Sequence, residues 1–496
     1  MRISNCLHPK KIYNKYLSEW QYVPCGKCCA CRNIQSYGWQ QRIVQESRKH
    51  RYSVFFTLTY DDACVPRFSK LEDGSLVDFG RTVRKIYKGN VFESSEYSGN
   101  FISKDEIPLD NIEDLRYFKR YNDFTYPCVT DCQRFIKRLR SNIHEFYKKN
   151  QESDVSQSKE TEDQFRIRYV LVSEFGPSSY RVHYHGVLWF ESRELAKKIK
   201  EFICCSWLMC DRSRIDVQFS NTGVASYVAK YINCPVYLPS MYKHPSLRPF
   251  LLCSRRPFIA HGLYSRETVR EILDNSVTKV RIFDTKKQSY IATSHSRSFT
   301  DKYLPKCLQF GHISDADRIS FYLINKYKGI VSKEHFLANA LFSHDPVFSS
   351  LRRIFNKYFN LSNLNRFAYK KTFDSFFSRI FYTSRRVIRN ASYLGYDSPE
   401  EYVRKIIAYW DQVSKENLKS MYEFQQEYVK DHSCKDLSAF YPLSCEDFYD
   451  VLYDSFDYHK MSSLQRKIHM DMENNKKRKS FLRMREMNKS NIRYYV

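Results

Sequence analysis

The chain has 496 residues, of which 42% are hydrophobic and 16% aromatic, so it can bury sizeable cores and is not a wholly disordered polymer. Lysine and arginine number 81 against 55 acids, and the formal charge of +26 points to a polyanionic partner, nucleic acid before membrane. No apolar run approaches the ~18–20 residues of a bilayer span, and the 13 glycines form neither a GxGxxG nor a GxxxxGK[ST] loop, which argues against a Rossmann or P-loop nucleotide site.

The N-terminus MRISNCLHPK lacks the apolar segment of a secretory leader, so the expected compartment is the cytoplasm and the expected state of the 16 cysteines is reduced. Residues 1–31 read as irregular and carry Cys6, Cys25, Cys28, Cys29 and Cys31. The run Cys25-x2-Cys28-x2-Cys31, completed by Cys6, fits structural zinc best, with an iron–sulfur cluster and unligated thiols as the other readings. Ile34, Trp39 and Ile43 give residues 32–50 the pattern of an amphipathic helix. SVFFTLTYDD (53–62) is a β-branched and aromatic strand stopped by two aspartates. Residues 63–125 are mixed in signal and read as an insertion with some local structure. A second amphipathic helix is predicted over 129–147, with Phe135, Leu139, Ile143 and Phe146 on one stripe. The charged stretch 148–164 reads as a loop or disordered linker.

The next hundred residues carry the chemistry. RIRYVLVSEFG (166–176) and VHYHGVLWF (182–190) read as a hairpin, followed by a helix near 192–206, a strand at 214–219 and a helix over 224–233 capped by Asn221 or Thr222. This order predicts an α+β fold, an antiparallel central sheet with helices on one face. His183 and His185 lie two apart on a strand and so share a face, and Glu174 on the preceding strand can add a carboxylate to this metal-ligand pair. The competing reading is a satisfied pair of structural histidines. Tyr227 and Tyr231, at helical i and i+4, bracket Lys230; the plain alternative is an aromatic core stripe. A phenol of pKa near 10 is ionised in only about one molecule per thousand at pH 7, so a tyrosine nucleophile needs cationic help, which Lys230 and a metal could give.

Beyond about 265 the chain reads as aromatic-rich helices, at 315–326, 333–342, 351–358 and 399–426, that build a helical core. Lys476, Lys477, Arg478, Lys479, Arg483 and Arg485 form a basic tail suited to salt-sensitive phosphate contacts, or simply a solvated face.

FFTLTYDD, HYHGVLWF and YVAKYIN resemble, in that order, the three motifs of the HUH endonucleases, with the YxxxY spacing of the two-tyrosine subclass. VSEFGPSSYRVHYHGVLWF, PCGKCCACR and CSRRPFIAHG (253–262) look like the replication initiators of small single-stranded DNA bacteriophages, the gokushovirus-like microviruses; the likeness covers about residues 5–262. Two departures stand out: bulky Tyr184 at the centre of the histidine triplet, and Cys234 where relatives often carry lysine. The resemblance implies an RRM-like palm and a replication initiator of Microviridae type, a site-specific single-stranded DNA endonuclease and joining enzyme. It would use Tyr227, Tyr231 and Lys230 catalytically, with His183, His185 and Glu174 holding Mg²⁺ or Mn²⁺. It also implies single-stranded origin DNA, a host polymerase and a host helicase as partners, in the cytoplasm of a bacterial host. The expected organisation is a cysteine-cluster segment and helix (1–51), a nicking domain (52–262) and a mainly helical basic region (263–496). Other readings are a non-catalytic zinc-dependent nucleic-acid-binding regulator, or an HUH relaxase or transposase. The tyrosines follow the histidines, unlike the relaxase order, and the chain is long for a single-strand transposase.

Overall fold

The computed structural model describes residues 10–14, 19–26, 29–87, 89–110, 112–152, 160–176, 180–219, 228, 238–284, 289–305, 315–324, 329–330, 332–358 and 366–432. These divide into two compact units, one holding residues 29–260 and the other residues 261–432 with the described residues before 29.

The chain opens with a hairpin of β1 (Lys10–Asn14) and β2 (Glu19–Val23), followed by α1 (Cys29–Lys49) and β3 (Tyr52–Leu58). The stretch read as an insertion is ordered. β4 (Arg67–Lys70), β5 (Leu76–Val77), β8 (Phe101–Ile102) and β9 (Asp123–Thr125) form a four-stranded antiparallel sheet in the order β8-β5-β4-β9. β6 (Arg81–Tyr87) and β7 (Asn90–Glu96) pair as a separate hairpin, and α2 (Ile112–Arg120) precedes β9. These strands are short and mostly one-sided, so their alternation is too brief to read from sequence. The predicted order then follows: α3 (Val129–Glu152), a short α4 (Glu162–Phe165), β10 (Arg168–Phe175), β11 (Val182–Phe190), α5 (Arg193–Ser206), β12 (Asp216–Phe219) and β13 (Leu251–Cys253). α3 runs five residues into the segment read as a linker, because KKNQE continues a helix whose apolar stripe has already docked.

The central sheet has the order β12-β3-β11-β10-β13, with every pair antiparallel. Its parity is strict. Val54, Phe56 and Leu58 of β3, Leu171 of β10 and Val182, Tyr184, Leu188 and Phe190 of β11 form one buried face. Against that face pack Phe135, Ile136, Leu139 and Ile143 of α3 and Leu195, Ile199 and Ile203 of α5. The i, i+4, i+8 spacing on α5, and its N-cap Ser192 accepting from the Leu195 amide, explain that helix. The sequence reading puts helices on one face only, and the structure corrects this. Ile43 of α1, with Trp39 and Val44 beside it, covers Val170, Val172, Val187 and Trp189 on the other face. β10 and β11 are apolar on both faces along this stretch, as strands buried on both sides must be, and that is the cue for a second cover.

Glu46 fastens α1 to the sheet. Its carboxylate, buried to 2% side-chain exposure, accepts from the Arg168 guanidinium, from the Ala260 amide at 2.6 Å and from His50 at 3.2 Å.

The second unit is mainly helical, as the sequence indicates. Its helices include Lys333–Phe342, Pro346–Tyr358, the 29-residue Arg366–Leu394 and Pro399–His432. Phe336, Phe348, Phe355, Phe373, Phe377 and Phe381 are buried among them, so these aromatics serve as core. The hairpin of β14 (Lys279–Asp284) and β15 (Ser289–Ser294) and the helix Arg366–Leu394 are additions to the sequence reading. Among the described residues, no helix is long and apolar enough to cross a membrane.

Candidate active site

Strand register brings Glu174, His183 and His185 together. In the β10–β11 ladder Glu174 stands directly opposite His183, and Val172 opposite His185. All three polar side chains therefore lie on the face that α1 covers further along, at the end of the hairpin nearest its turn.

Each histidine is oriented by a neighbour. His183 Nδ1 lies 2.8 Å from the carbonyl of Arg181, so Nδ1–H donates and Nε2 carries the lone pair. Burial holds the His183 pKa below its ordinary value, despite the Arg181 carbonyl and the Glu174 charge, which favours the neutral ring that a metal or a proton transfer needs. His185 Nε2 meets a Glu174 carboxylate oxygen directly, and its Nδ1 lies 3.0 Å from the Thr57 hydroxyl. Thr57 is the register partner of His185 across β3–β11. Phe55 stacks on the His185 ring at 5.7 Å with an interplanar angle of 11°. A hydroxyl can donate or accept, so Thr57 satisfies either tautomer of His185. Gly176 completes the enclosure: a Cβ there would stand 3.2 Å from His183 Cε1, tighter than ordinary contact.

The sequence reading does not single out Thr57, Gly176 or the Arg181 carbonyl. The cue for Thr57 is its place inside TLTY on a strand that has to pair beside the histidines. The two aspartates ending that motif are charge partners, with Asp61 3.0 Å from Arg214 and 2.7 Å from Arg84, and Asp62 against Arg181.

The three residues match a divalent-cation donor set in kind: two imidazoles and a carboxylate, with second-layer groups fixing each ring. Among the described residues, however, no three His, Cys, Asp or Glu side chains are arranged to hold a metal ion, and the Glu174–His185 pair is closed on itself. A cation would have to replace that hydrogen bond. The exchange is chemically simple, because His185 then takes the Nδ1–H tautomer and Thr57 turns from donor to acceptor.

Behind the histidines, Tyr184 points to the opposite face and is fully buried. Its oxygen accepts from the Cys128 amide at 2.8 Å, and its hydroxyl lies 3.0 Å from that of Tyr60. Tyr60 in turn donates to Asp131 at 2.8 Å, and Arg81 grips both Asp131 oxygens. Burial raises the phenol pKa values of both tyrosines, so they act as neutral hydrogen-bonding groups.

The residues expected to attack, Tyr227, Tyr231 and Lys230, and the variant Cys234 lie outside the described residues. Their neighbour Val228 is described: it is fully buried, in the same cluster as Val170, Val172 and Val187, on the histidine face of the sheet. Of the cysteine run, Cys6 and Cys28 lie outside the described residues, Cys25 is half-buried, and Cys31 is buried within the first turn of α1. The basic tail, Lys476, Lys477, Arg478, Lys479, Arg483 and Arg485, also lies outside them.

No curated protein and no solved structure matches the chain. A family model of replication-associated proteins, the ORF2 type, matches residues 120–234, a stretch that holds α3, the hairpin with Glu174, His183 and His185, α5, β12 and the tyrosine segment.

Proposed function

We propose that the chain is a replication initiator that cuts and rejoins single-stranded DNA at a phage origin by transesterification through tyrosine. The observation that carries this reading is positional. Glu174, His183 and His185 share one sheet face, and Val228, the residue after Tyr227, packs on that same face within the stretch matching the replication-associated model.

One of Tyr227 and Tyr231 attacks the scissile phosphorus, forming a phosphotyrosine bond to the new 5′ end and releasing a 3′-hydroxyl that a host polymerase extends. After one circuit the second tyrosine attacks the regenerated origin, and the freed 3′-hydroxyl displaces the first tyrosine to close the circle. Each step exchanges one phosphodiester for another, so joining needs no nucleotide triphosphate, and unwinding falls to a host helicase. Lys230, one helical turn from either tyrosine, lowers the cost of the phenolate. Glu174, His183 and His185 would hold Mg²⁺ or Mn²⁺, which supplies Lewis-acid polarisation of the phosphate. Burial keeps His183 neutral for that task, and Thr57 sets the tautomer of His185. Structural zinc on Cys6, Cys25, Cys28 and Cys31, phosphate contacts from the basic tail, and work in the cytoplasm of a bacterial host belong to the same reading.

The test is a cleavage assay on labelled single-stranded origin DNA with Mn²⁺, comparing wild type with Tyr227→Phe, Tyr231→Phe, the double variant and His183→Ala. A protein–DNA adduct that survives denaturation, disappears in the double variant and requires His183 supports the proposal. An adduct persisting in the double variant, or tight binding with no adduct on any candidate origin, overturns it.

A further inference from the structure

The stretch CSRRPFIAHG takes no part in the chemistry above, yet part of it lines the largest groove of the 29–260 unit. The groove has a volume of about 1200 Å³, beyond the roughly 300–1,000 Å³ of small-molecule sites. One wall is a single side of α3, where Gln133, Arg140, His144 and Tyr147 follow one another at intervals of seven, four and three residues. At 1.5 Å per residue that wall is roughly 20 Å long, a trough suited to an extended chain. The opposite wall is the sheet edge, from Leu252 and Cys253 of β13 through Ser254 to Arg255, Arg256 and Pro257.

The charges in this trough are not balanced. Arg166 pairs with Asp163 at 3.0 Å, and Arg168 pairs with Glu46. Lys49, Arg140, Arg255 and Arg256 also line it, all four exposed, and none forms an ion pair among the described residues. The rim is fixed: Arg168 donates to the carbonyls of Pro257 at 2.9 Å and Phe258 at 3.0 Å, and Arg255 bridges to Phe258. Arg140 stands 5.7 Å over the ring of Tyr169, and half-buried Tyr147 adds a second ring to the lining. Held cations along an elongated trough with aromatic rings are the features of a sequence-tolerant single-strand site. Glu174 lies six residues along β10 from Arg168, so this end of the sheet is about 20 Å from the histidines.

We propose that this groove binds single-stranded DNA outside the reacting phosphate, with Arg140, Arg255 and Arg256 on the backbone; the proposal deepens the nicking reading and rests on it. The experiment is fluorescence anisotropy of a labelled oligothymidylate with the full chain across a salt series. It compares wild type, Arg140→Ala, the double variant Arg255→Ala/Arg256→Ala and the charge-keeping Arg255→Lys/Arg256→Lys. A single-strand phosphate contact contributes about 0.7 to the slope of log K against log salt, so the double alanine variant should bind more weakly and lose about 1.4 of slope. The lysine variant should recover most of both. Wild-type affinity and slope in the alanine variants overturn the proposal, as does a lysine variant as impaired as the alanine one, since that would make the arginines structural. If wild type forms an adduct with origin DNA while the alanine variants bind normally, the groove assignment falls and the nicking reading stands. A wild-type chain that binds no oligothymidylate and forms no adduct removes both.

Discussion

Tyr184 sits between the two histidines in sequence but on the other side of the sheet, so Tyr184→Phe separates stability from chemistry. The substitution keeps the ring and its packing against Trp207, at 5.6 Å between centroids, and opens no cavity. It removes one oxygen. Tyr60 already donates its proton to Asp131, so the Tyr184 hydroxyl must donate to Tyr60 while accepting from the Cys128 amide. Tyr60 keeps one good bond after the change, whereas the Cys128 amide, half-buried at the start of α3, loses its acceptor. Stranding one such donor costs about 1–3 kcal/mol. Guanidinium unfolding followed by tryptophan fluorescence should show a lower midpoint at unchanged slope, because Trp207 lies against the substituted ring. Adduct formation per folded molecule should equal wild type, since the hydroxyl faces away from His183 and His185. A loss under about 0.5 kcal/mol would refute the hydrogen-bond assignment. Lost adduct formation at unchanged stability would refute the division of labour between the two faces.

Three further substitutions probe the same sheet. A Cβ on Gly186 would come within 2.1 Å of the Phe56 ring, so Gly186→Ala should cost about 1–3 kcal/mol by overpacking, and Phe56→Leu should relieve part of it in a double-mutant cycle measured by denaturation. Burial pushes the Glu46 carboxyl up, but His50, Arg168 and the Ala260 amide outweigh it and hold the pKa below its ordinary value of 4.5. Its contribution to stability is thus present above about pH 4.5 and is lost as pH falls through the folded value. Glu46→Gln should cost about 3–5 kcal/mol at pH 7 and should flatten the acid limb of a melting-temperature profile; an unchanged acid limb would clear Glu46 of that role. Thr57→Val removes the hydroxyl that serves His185 Nδ1 and should lower adduct formation about 10–100-fold while leaving oligonucleotide affinity intact, read by single-turnover cleavage beside anisotropy.

How much is legible in the sequence follows from how each signal is encoded. Helices α3 and α5 and the β10–β11 hairpin are readable because each repeats one period over enough residues to fix a face. The pairing of Glu174 with His183 is an expectation whose register depends on the turn, and the ladder places the two directly opposite. The second cover on the sheet escapes the sequence reading because α1 presents few apolar side chains to it, mainly Trp39, Ile43 and Val44. The evidence for that cover lies instead in the continuous apolar runs of β10 and β11. The strands of 63–125 pair over two to seven residues, too short for alternation to stand out from chance. Thr57 and Gly176 act through contacts made across strands or around a turn, which linear spacing does not record.

The parity of β11 ties these observations into one argument. Val182, Tyr184, Leu188 and Phe190 all face α3 and α5, so every second residue of the strand is committed to the fold. Val187 and Trp189 carry α1, and Trp189 Nε1 donates to Ser47 on that helix at 2.9 Å. Only the stretch nearest the hairpin turn, His183 and His185, is left on that face with polar side chains. A single strand thus anchors two layers of helix and presents two imidazoles, with no residue doing both. Because side chains alternate with a period of two, a one-residue slip would bury the histidines against α3 and turn Tyr184 outward. The buried bonds from Tyr184 to Tyr60 and Cys128 resist that slip, and through them the core on one side fixes the chemistry on the other.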